Sequence, residues 1–217
     1  MELYYFEPSP PCRAVLLFLH ELNIKPTMKK INLLKGENLT ADFKSLNPQQ
    51  TIPLIIDDGF VLSESRAILI YLAEQYGQNS NYYPNDPKTR GVINQRLMFD
   101  IGTLYSRFFD AYSDSVNNVD YVLDAKKVSK IHEAFEFLEA FMADSMWMSG
   151  DAITIADYSL VATVSSIEAC GFDISKYKKV LAWLDRCKSV MSNYEEINQK
   201  GANMLGNVIK DHIHKEA

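Results

Sequence analysis

The sequence predicts an α/β domain followed by an all-helical domain. Short apolar runs alternate with helical patterns over residues 1–77, whereas residues 88–217 show helical periodicity alone. Between them, residues 78–87 form a polar stretch with two prolines, which is typical of a linker between domains. A length of 217 residues fits this division, because one domain commonly takes about 150 residues.

The N-terminal domain begins with a strand, a helix and a second strand. Residues 3–6 form a short apolar run, and residues 14–19 are apolar on nearly every side, as in a buried helix. A second strand is predicted over residues 28–33. Because a helix connects the two strands, we expect them to run parallel.

A hairpin and a further helix complete this domain. Residues 52–56 and 60–62 flank Asp57-Asp58-Gly59, whose residue types favour a tight hairpin turn. The next helix is predicted over about residues 64–76, with Gly77 at the position after its C-terminal end. With a short helix before the hairpin, this order of elements describes a thioredoxin-like domain.

The second half is predicted to be helical throughout. Thr154 and Asp157 have the spacing of a capping box, which places the start of one helix at this point. The helices are predicted over residues 93–112, 128–142, from 154 onwards, 177–191 and 194–213.

Composition disfavours several kinds of function. Acidic residues outnumber basic ones by 28 to 22, which is unfavourable for binding nucleic acid or an anionic membrane surface. The three cysteines are an odd number at wide spacing, so no disulfide framework is predicted. No targeting segment or membrane-spanning apolar run is found either. We expect a soluble, cytoplasmic protein with no nucleic-acid partner, no membrane partner and no metal.

The segment Ser9-Pro10-Pro11-Cys12, between the first strand and the first helix, is one candidate site. Proline is favoured in a first helical turn, so Ser9 falls at the helix start, where a serine most often serves only as a cap. The spacing also resembles a Cys-x-x-Cys redox motif whose first cysteine is replaced by serine. A serine hydroxyl can donate a hydrogen bond to an external thiolate at the positive end of a helix. We interpret Cys12 as a small buried side chain.

Two further segments could contact a ligand. Ile52-Pro53 precedes a strand, where proline is tolerated; a cis bond there would turn the backbone groups of residue 52 toward a ligand. Ser63-Glu64-Ser65-Arg66 opens a helix, where such residues are common caps, but free N–H groups and hydroxyls at a helix start also bind carboxylates. With Glu64 as an acceptor for an ammonium group, this helix start suits the head group of an α-amino acid.

In this order and spacing, the segments resemble the cytosolic glutathione transferases, above all the insect delta and epsilon classes, over essentially the whole chain. The resemblance is carried by Ser9-Pro10-Pro11-Cys12, Asn47-Pro48-Gln49-Gln50-Thr51-Ile52-Pro53, Glu64-Ser65-Arg66-Ala67-Ile68 and Thr154-Ile155-Ala156-Asp157. It implies glutathione as co-substrate, a helical domain with the hydrophobic substrate site, and a homodimer formed through the helix of Arg66 and the helix of residues 96–99.

The resemblance also implies roles for individual residues. Ser9 would be the catalytic residue that hydrogen-bonds the glutathione sulfur, and Ile52-Pro53 would pair with the cysteinyl backbone. Glu64 and Ser65, helped by Arg66, would hold the γ-glutamyl head. The full predicted glutathione site is Ser9, Pro11, Leu33, Asn38, Gln50, Ile52, Pro53, Glu64, Ser65 and Arg66.

Asn38 and Gln50 stand where this family usually has histidines near the glycyl carboxylate of glutathione. Both side chains donate hydrogen bonds, but neither can carry a positive charge. We therefore expect somewhat weaker glutathione binding than is usual in the family.

The second substrate needs an apolar wall. Four aromatic residues lie within residues 105–112 of one predicted helix, which favours a cleft over complete burial. Apolar residues of the last helix are expected to face them. The predicted hydrophobic substrate site is Tyr105, Phe108, Tyr112, Met204 and Val208.

Three other functions are weighed against conjugation of glutathione to apolar electrophiles. A carrier or binding protein on the same scaffold is possible in principle, because fold alone does not determine function. A glutathione-dependent isomerase of the zeta type is a second alternative, although Pro10-Pro11 fits its motif less well. A thiol–disulfide reductase is disfavoured, because position 9 carries no thiol.

Overall fold

Residues 1–77, 81–116, 118 and 120–214 are described by the structure, a computed structural model. The strands are β1 (Glu2–Tyr5), β2 (Thr27–Lys30), β3 (Leu54–Asp57), β4 (Phe60–Ser63), β5 (Tyr121–Val122) and β6 (Ile213–His214). The helices are α1 (Pro10–Glu21), α2 (Ala41–Leu46), α3 (Ser65–Gln75), α4 (Pro87–Phe99), α5 (Tyr105–Tyr112), α6 (Ala125–Phe141), α7 (Ile155–Ala169), α8 (Lys178–Val190) and α9 (Lys200–His212). Within the predicted linker over 78–87, residues 78–80 lie outside the described residues, and the domain boundaries stay a prediction.

The N-terminal half contains a four-stranded mixed sheet in the order β2-β1-β3-β4. β1 pairs with β2 in parallel, as the helix between them predicts, and pairs with β3 antiparallel. β2 ends at Lys30, earlier than predicted, because the side chain of Asn32 accepts a hydrogen bond from the N–H of Lys35 and turns the chain. The predicted α/β domain of thioredoxin-like type is confirmed.

The hairpin of β3 and β4 determines where the site lies. Asp58 and Gly59 both have positive φ, 48° and 83°, as a two-residue turn of this kind requires. The register pairs Leu54 at the start of β3 with Ser63 at the end of β4. Pro53, just before β3, therefore lies beside Glu64, just before α3.

The second half is helical, with small differences from the prediction. A π-helical turn over Asp100–Leu104 joins α4 to α5, within the single helix predicted over residues 93–112. β5 and β6 form a parallel pair of two residues each, which is too short to leave a periodic pattern in the sequence.

The predicted capping box at the start of α7 is confirmed. The carboxylate of Asp157 accepts from the N–H of Thr154 at 2.8 Å, from the N–H of Met148 at 3.0 Å and from Nε1 of Trp183 at 2.9 Å. These bonds join α7 to α8 and to the loop before it. α7 is thereby held as the buried central helix of this half.

The two halves meet where α1 packs against α7 and against the start of α9. Gly201 in α9 permits this contact. A Cβ atom there would lie 2.3 Å from the carbonyl oxygen of Glu7 and 2.6 Å from Cδ of Arg13. Arg13 is fully buried in this contact, at the same end of α1 as Ser9.

Candidate active site

One pocket, with a volume of about 170 Å³, opens beside the hairpin and between the two halves of the chain. It is lined by Pro11, Thr51, Ile52, Pro53, Glu64, Ser65, Arg66, Ile101 and Tyr105. The structure thus brings together seven of the residues predicted from the sequence. Thr51 and Ile101 were not predicted, although Ile101 belongs to the apolar helical pattern that ends in α5.

Ser9 is the N-cap residue of α1, but its side chain makes no capping hydrogen bond. Its carbonyl oxygen accepts from the N–H of Arg13 at 3.1 Å, so the backbone alone begins the helix. Burial raises the pKa of the Cys12 thiol to about 11, and a hydrogen bond with the Ser9 side chain opposes that rise. Capping therefore does not account for a serine here. Cys12 is fully buried, as predicted.

The Ile52-Pro53 peptide bond is cis. Ile52 is buried against Cys12 and Phe43, and Leu33 packs partly buried on the same small apolar cluster. This cluster joins the segment before β3 to the N-terminal turn of α1. Pro53 and Pro11, which adjoin these residues in the sequence, both line the pocket.

Glu64 and Ser65 form the side of the pocket at the start of α3. Glu64 is exposed and has φ of 68°, a conformation that costs a residue other than glycine about 1–3 kcal/mol. Its side chain makes no capping bond to α3. Strain of this kind is commonly kept at binding sites, where it fixes the direction of a side chain and of the neighbouring N–H groups.

Arg66 stabilises the start of α3 from its buried side. Its Nη2 donates to Oδ2 of Asp100 at 2.6 Å, and its Nη1 donates to Oγ of Ser65 at 2.9 Å. The hydroxyl of Ser159 donates to the same Asp100 oxygen. Arg66 and Asp100 are both buried, so this ion pair is shielded from solvent.

Two atoms of this ion pair are buried without a hydrogen-bond partner among the described residues, Nε of Arg66 and Oδ1 of Asp100. Arg66 also lines the pocket. Asp100 was not predicted from the sequence. Its only signal there is an acidic residue inside an apolar helical pattern, and the π-helical turn brings it to α3.

The side chains of Asn38 and Gln50 each donate a hydrogen bond to the backbone of the other residue. Nδ2 of Asn38 donates to the carbonyl oxygen of Gln50 at 2.9 Å, and Nε2 of Gln50 donates to the carbonyl oxygen of Asn38 at 3.1 Å. Gln50 has a φ of 57°. Each amide NH₂ group has a second N–H, so the pair keeps donors for a ligand but brings no positive charge.

The predicted wall for the hydrophobic substrate is only partly found. Tyr105 lines the pocket, and Met204 and Val208 are exposed on α9. Phe108 and Tyr112 are instead core side chains, 4% and 3% exposed, and present almost no surface to a ligand. Helical spacing alone does not tell which side of α5 faces the cleft and which faces α6, and the assignment of these five residues to a substrate site stays a prediction.

No group of three or more His, Cys, Asp or Glu side chains suited to a metal ion occurs among the described residues. Along the same part of the chain, no helix combines the length and apolar character needed to cross a bilayer.

Family models match both halves of the chain. The N-terminal domain model of glutathione S-transferases matches residues 3–80, and the C-terminal domain model matches residues 116–186.

Individual relatives match over nearly the full length. Glutathione S-transferase D7 of Anopheles gambiae is 43% identical over 213 residues, which cover 97% of each chain. Among solved structures, a delta-class glutathione transferase of Nilaparvata lugens is 42% identical with a TM-score of 0.91, covering 96% of this chain and 98% of that one. An epsilon-class enzyme from Musca domestica is 36% identical with a TM-score of 0.90, covering 96% of both chains. The chain belongs to the glutathione S-transferases.

Proposed function

We propose that the protein conjugates glutathione to small apolar electrophiles in the cytoplasm, with Ser9 activating the glutathione thiol. The observation that carries this proposal is the Ser9 side chain, which caps no helix although it stands at the N-cap of α1. It lies two residues from Pro11, which lines the pocket together with Pro53, Glu64 and Ser65. No backbone N–H group of α1 therefore competes with a ligand for the Ser9 hydroxyl.

The proposed chemistry follows from the pKa of a thiol. A free thiol with a pKa near 8.5 is only a few per cent thiolate at neutral pH. A charge-assisted hydrogen bond from Ser9, worth about 1.5–3 kcal/mol, lowers that pKa by about one to two units. The dipole of α1 adds a smaller effect of the same sign. The thiol proton passes to solvent water, so no general base is needed. The thiolate sulfur then forms a C–S bond with the electrophilic carbon, and the bond to the leaving group breaks; with a chlorinated nitroaromatic, chloride is released.

Specificity for the tripeptide would come from the other side of the pocket. Glu64 accepts from the γ-glutamyl ammonium group, while Ser65 and the first N–H groups of α3 donate to its carboxylate. The backbone of Ile52 pairs with the cysteinyl unit, and Leu33, Asn38 and Gln50 lie toward the glycyl end. Tyr105, with Met204 and Val208 on α9, offers apolar surface to the electrophile.

Retention on immobilised glutathione, followed by conjugation of a chlorinated nitroaromatic, tests this function. We expect both for the wild-type protein, and a large loss of turnover with retained binding for Ser9→Ala. Binding without turnover by the wild type would favour a carrier protein. Glutathione-dependent isomerisation of a substrate, without conjugation, would favour the isomerase. Failure of the wild-type protein to bind glutathione would reject the glutathione site.

Replacing Gln50 with histidine is expected to lower the Michaelis constant for glutathione. The protonated imidazole would form an exposed ion pair with the glycyl carboxylate. Such a pair contributes about 0.5–1 kcal/mol, which corresponds to about a two- to fivefold lower Michaelis constant. Histidine also tolerates the positive φ of this position. The gain is present at pH 6 and fades above the histidine pKa of about 6.5, because the imidazole then becomes neutral.

Steady-state kinetics at pH 6 and pH 8 measure this effect, with Gln50→Met as the control for side-chain size. A constant that is unchanged or raised at pH 6 in Gln50→His would show that Gln50 does not face the glycyl carboxylate.

The proposal includes a homodimer formed through α3 and α4. Exposed apolar side chains on the surfaces near these helices support it, since Met98 on α4 and Phe60 on β4 are 60% and 48% exposed. Sedimentation equilibrium should give the mass of two chains, and Met98→Asp should shift it toward one. A wild-type protein that sediments as a single chain at micromolar concentration would contradict this proposal.

A further inference from the structure

Arg13 is a buried cation that the proposed mechanism leaves unused. It is fully buried in α1, and all its hydrogen-bond acceptors are neutral. Nη1 donates to the carbonyl oxygen and Oδ1 of Asn198, and Nη2 donates to Oγ of Ser166 and the carbonyl oxygen of Ala162. Nε has no partner among the described residues. Such a charge is costly to bury, and a carboxylate beside it would be the usual compensation.

Within the part of the chain that the structure describes, the ionisable groups that interact with Arg13 include no carboxylate. Those that interact with it are the thiols of Cys12 and Cys170 and the phenols of Tyr105 and Tyr194. Burial raises the pKa of Cys12 to about 11 and those of Cys170 and Tyr105 to about 12, and it raises that of Tyr194 further. All four are therefore neutral at pH 7. Burial lowers the pKa of Arg13 to about 10, which leaves it charged.

The uncompensated charge lies at the end of α1 that carries Ser9. The N–H of Arg13 donates to the carbonyl oxygen of Ser9, so one helical turn separates the two residues. Cys12, whose sulfur is hydrogen-bonded to the Ser9 side chain, interacts electrostatically with the guanidinium. Tyr105, on the pocket wall, does so as well. The positive charge thus lies within electrostatic range of Cys12 in the Ser9 segment and of Tyr105 on the pocket wall.

We infer that the buried charge of Arg13, one helical turn from Ser9, stabilises the glutathione thiolate by electrostatic attraction, without contacting it. This inference rests on the proposed function. At a separation on the order of 10 Å and an effective dielectric constant of about 20, one unit charge changes a pKa by about one unit. Other charged groups near the pocket are Glu64, Arg66 and Asp100, and they are left unchanged by the variants below.

Asn198→Asp tests the inference better than removal of Arg13, which would leave a cavity at the contact of α1 and α9. The new carboxylate has nearly the shape of the amide, it accepts from Nη1 of Arg13, and it neutralises the charge in place. Ser166→Asp places a carboxylate at Nη2 and repeats the test from the other side. The matched control is Asn203→Asp, the same change at an exposed position of α9.

The measurement is the pH profile of kcat/KM for conjugation, together with binding of S-methylglutathione, which has no thiol to ionise. We expect the profiles of Asn198→Asp and Ser166→Asp to move toward alkaline pH by about one unit, with kcat/KM about tenfold lower at pH 6. Binding of S-methylglutathione and the profile of Asn203→Asp should stay as in the wild type.

A folded Asn198→Asp or Ser166→Asp variant with the wild-type profile would overturn the inference, and so would equal losses with the thiol and with its methylated analogue. If the wild type does not conjugate, or if Ser9→Ala leaves its profile unmoved, the proposed function itself fails. The two failures are therefore distinguishable.

Discussion

Ser9→Ala is expected to lower kcat/KM for conjugation by about 8- to 25-fold at pH 7, and by about 10- to 100-fold well below the pKa of the bound thiol. The hydroxyl supplies a charge-assisted hydrogen bond of about 1.5–3 kcal/mol, and each 1.4 kcal/mol lost from the thiolate costs about tenfold in its population below the pKa. Folding should change little, because the side chain makes no capping bond. Initial rates over a range of pH, alongside thermal unfolding, measure both effects.

Ser9→Thr is the matched control for this substitution, since it keeps a hydroxyl on the same carbon. We expect it to retain most of the activity lost in Ser9→Ala. The loss should also shrink at alkaline pH, where glutathione ionises unaided. A pH-independent loss, or an equal loss in both variants, would mean that Ser9 acts through packing and not through its hydroxyl.

Asp100→Ala is expected to lower the free energy of unfolding by about 3–5 kcal/mol. The substitution leaves the Arg66 guanidinium buried without its carboxylate, and loss of one partner of a buried ion pair costs about that much. Arg66 also holds the hydroxyl of Ser65 at the start of α3. The Michaelis constant for glutathione should therefore rise as well. Urea unfolding and steady-state kinetics measure the two effects.

The double variant Arg66→Met, Asp100→Leu tests whether the loss of stability in Asp100→Ala comes from the unpaired charge. Replacing both charges with apolar groups of similar size removes the unpaired charge, so we expect this variant to be more stable than Asp100→Ala. Ser159→Ala, which removes only a neutral donor to the same carboxylate, should cost about 1 kcal/mol. An Asp100→Ala protein as stable as the wild type would show that the ion pair does not support α3.

The fold was predictable where local chemistry determines it. Asp58 and Gly59 tolerate the positive φ of a two-residue turn, and Thr154 with Asp157 marks the start of a helix, whatever the rest of the chain does. The end of β2 was not predictable to the residue, because a side chain of the following turn decides it. β5 and β6 pair across more than 90 residues, which no local pattern records.

The site was predictable only in its ligand-facing parts. The segments around Ser9, Pro53 and Glu64 carry recognisable residue types, and the pocket contains Pro53 and Glu64 together with Pro11 from the Ser9 segment. Arg13 and Asp100 were not predicted to be functional residues. The role of a charged residue in an apolar helix depends on its tertiary partners. These are neutral amide and hydroxyl oxygens for Arg13 and a guanidinium for Asp100.

Ultraviolet titration of the glutathione thiolate in the binary complex tests the central claim most directly. In the wild-type complex we expect the bound thiol to ionise about one to two pH units below free glutathione, and in Ser9→Ala to ionise close to the free value. A wild-type complex in which bound and free glutathione titrate together would contradict activation of the thiol by Ser9.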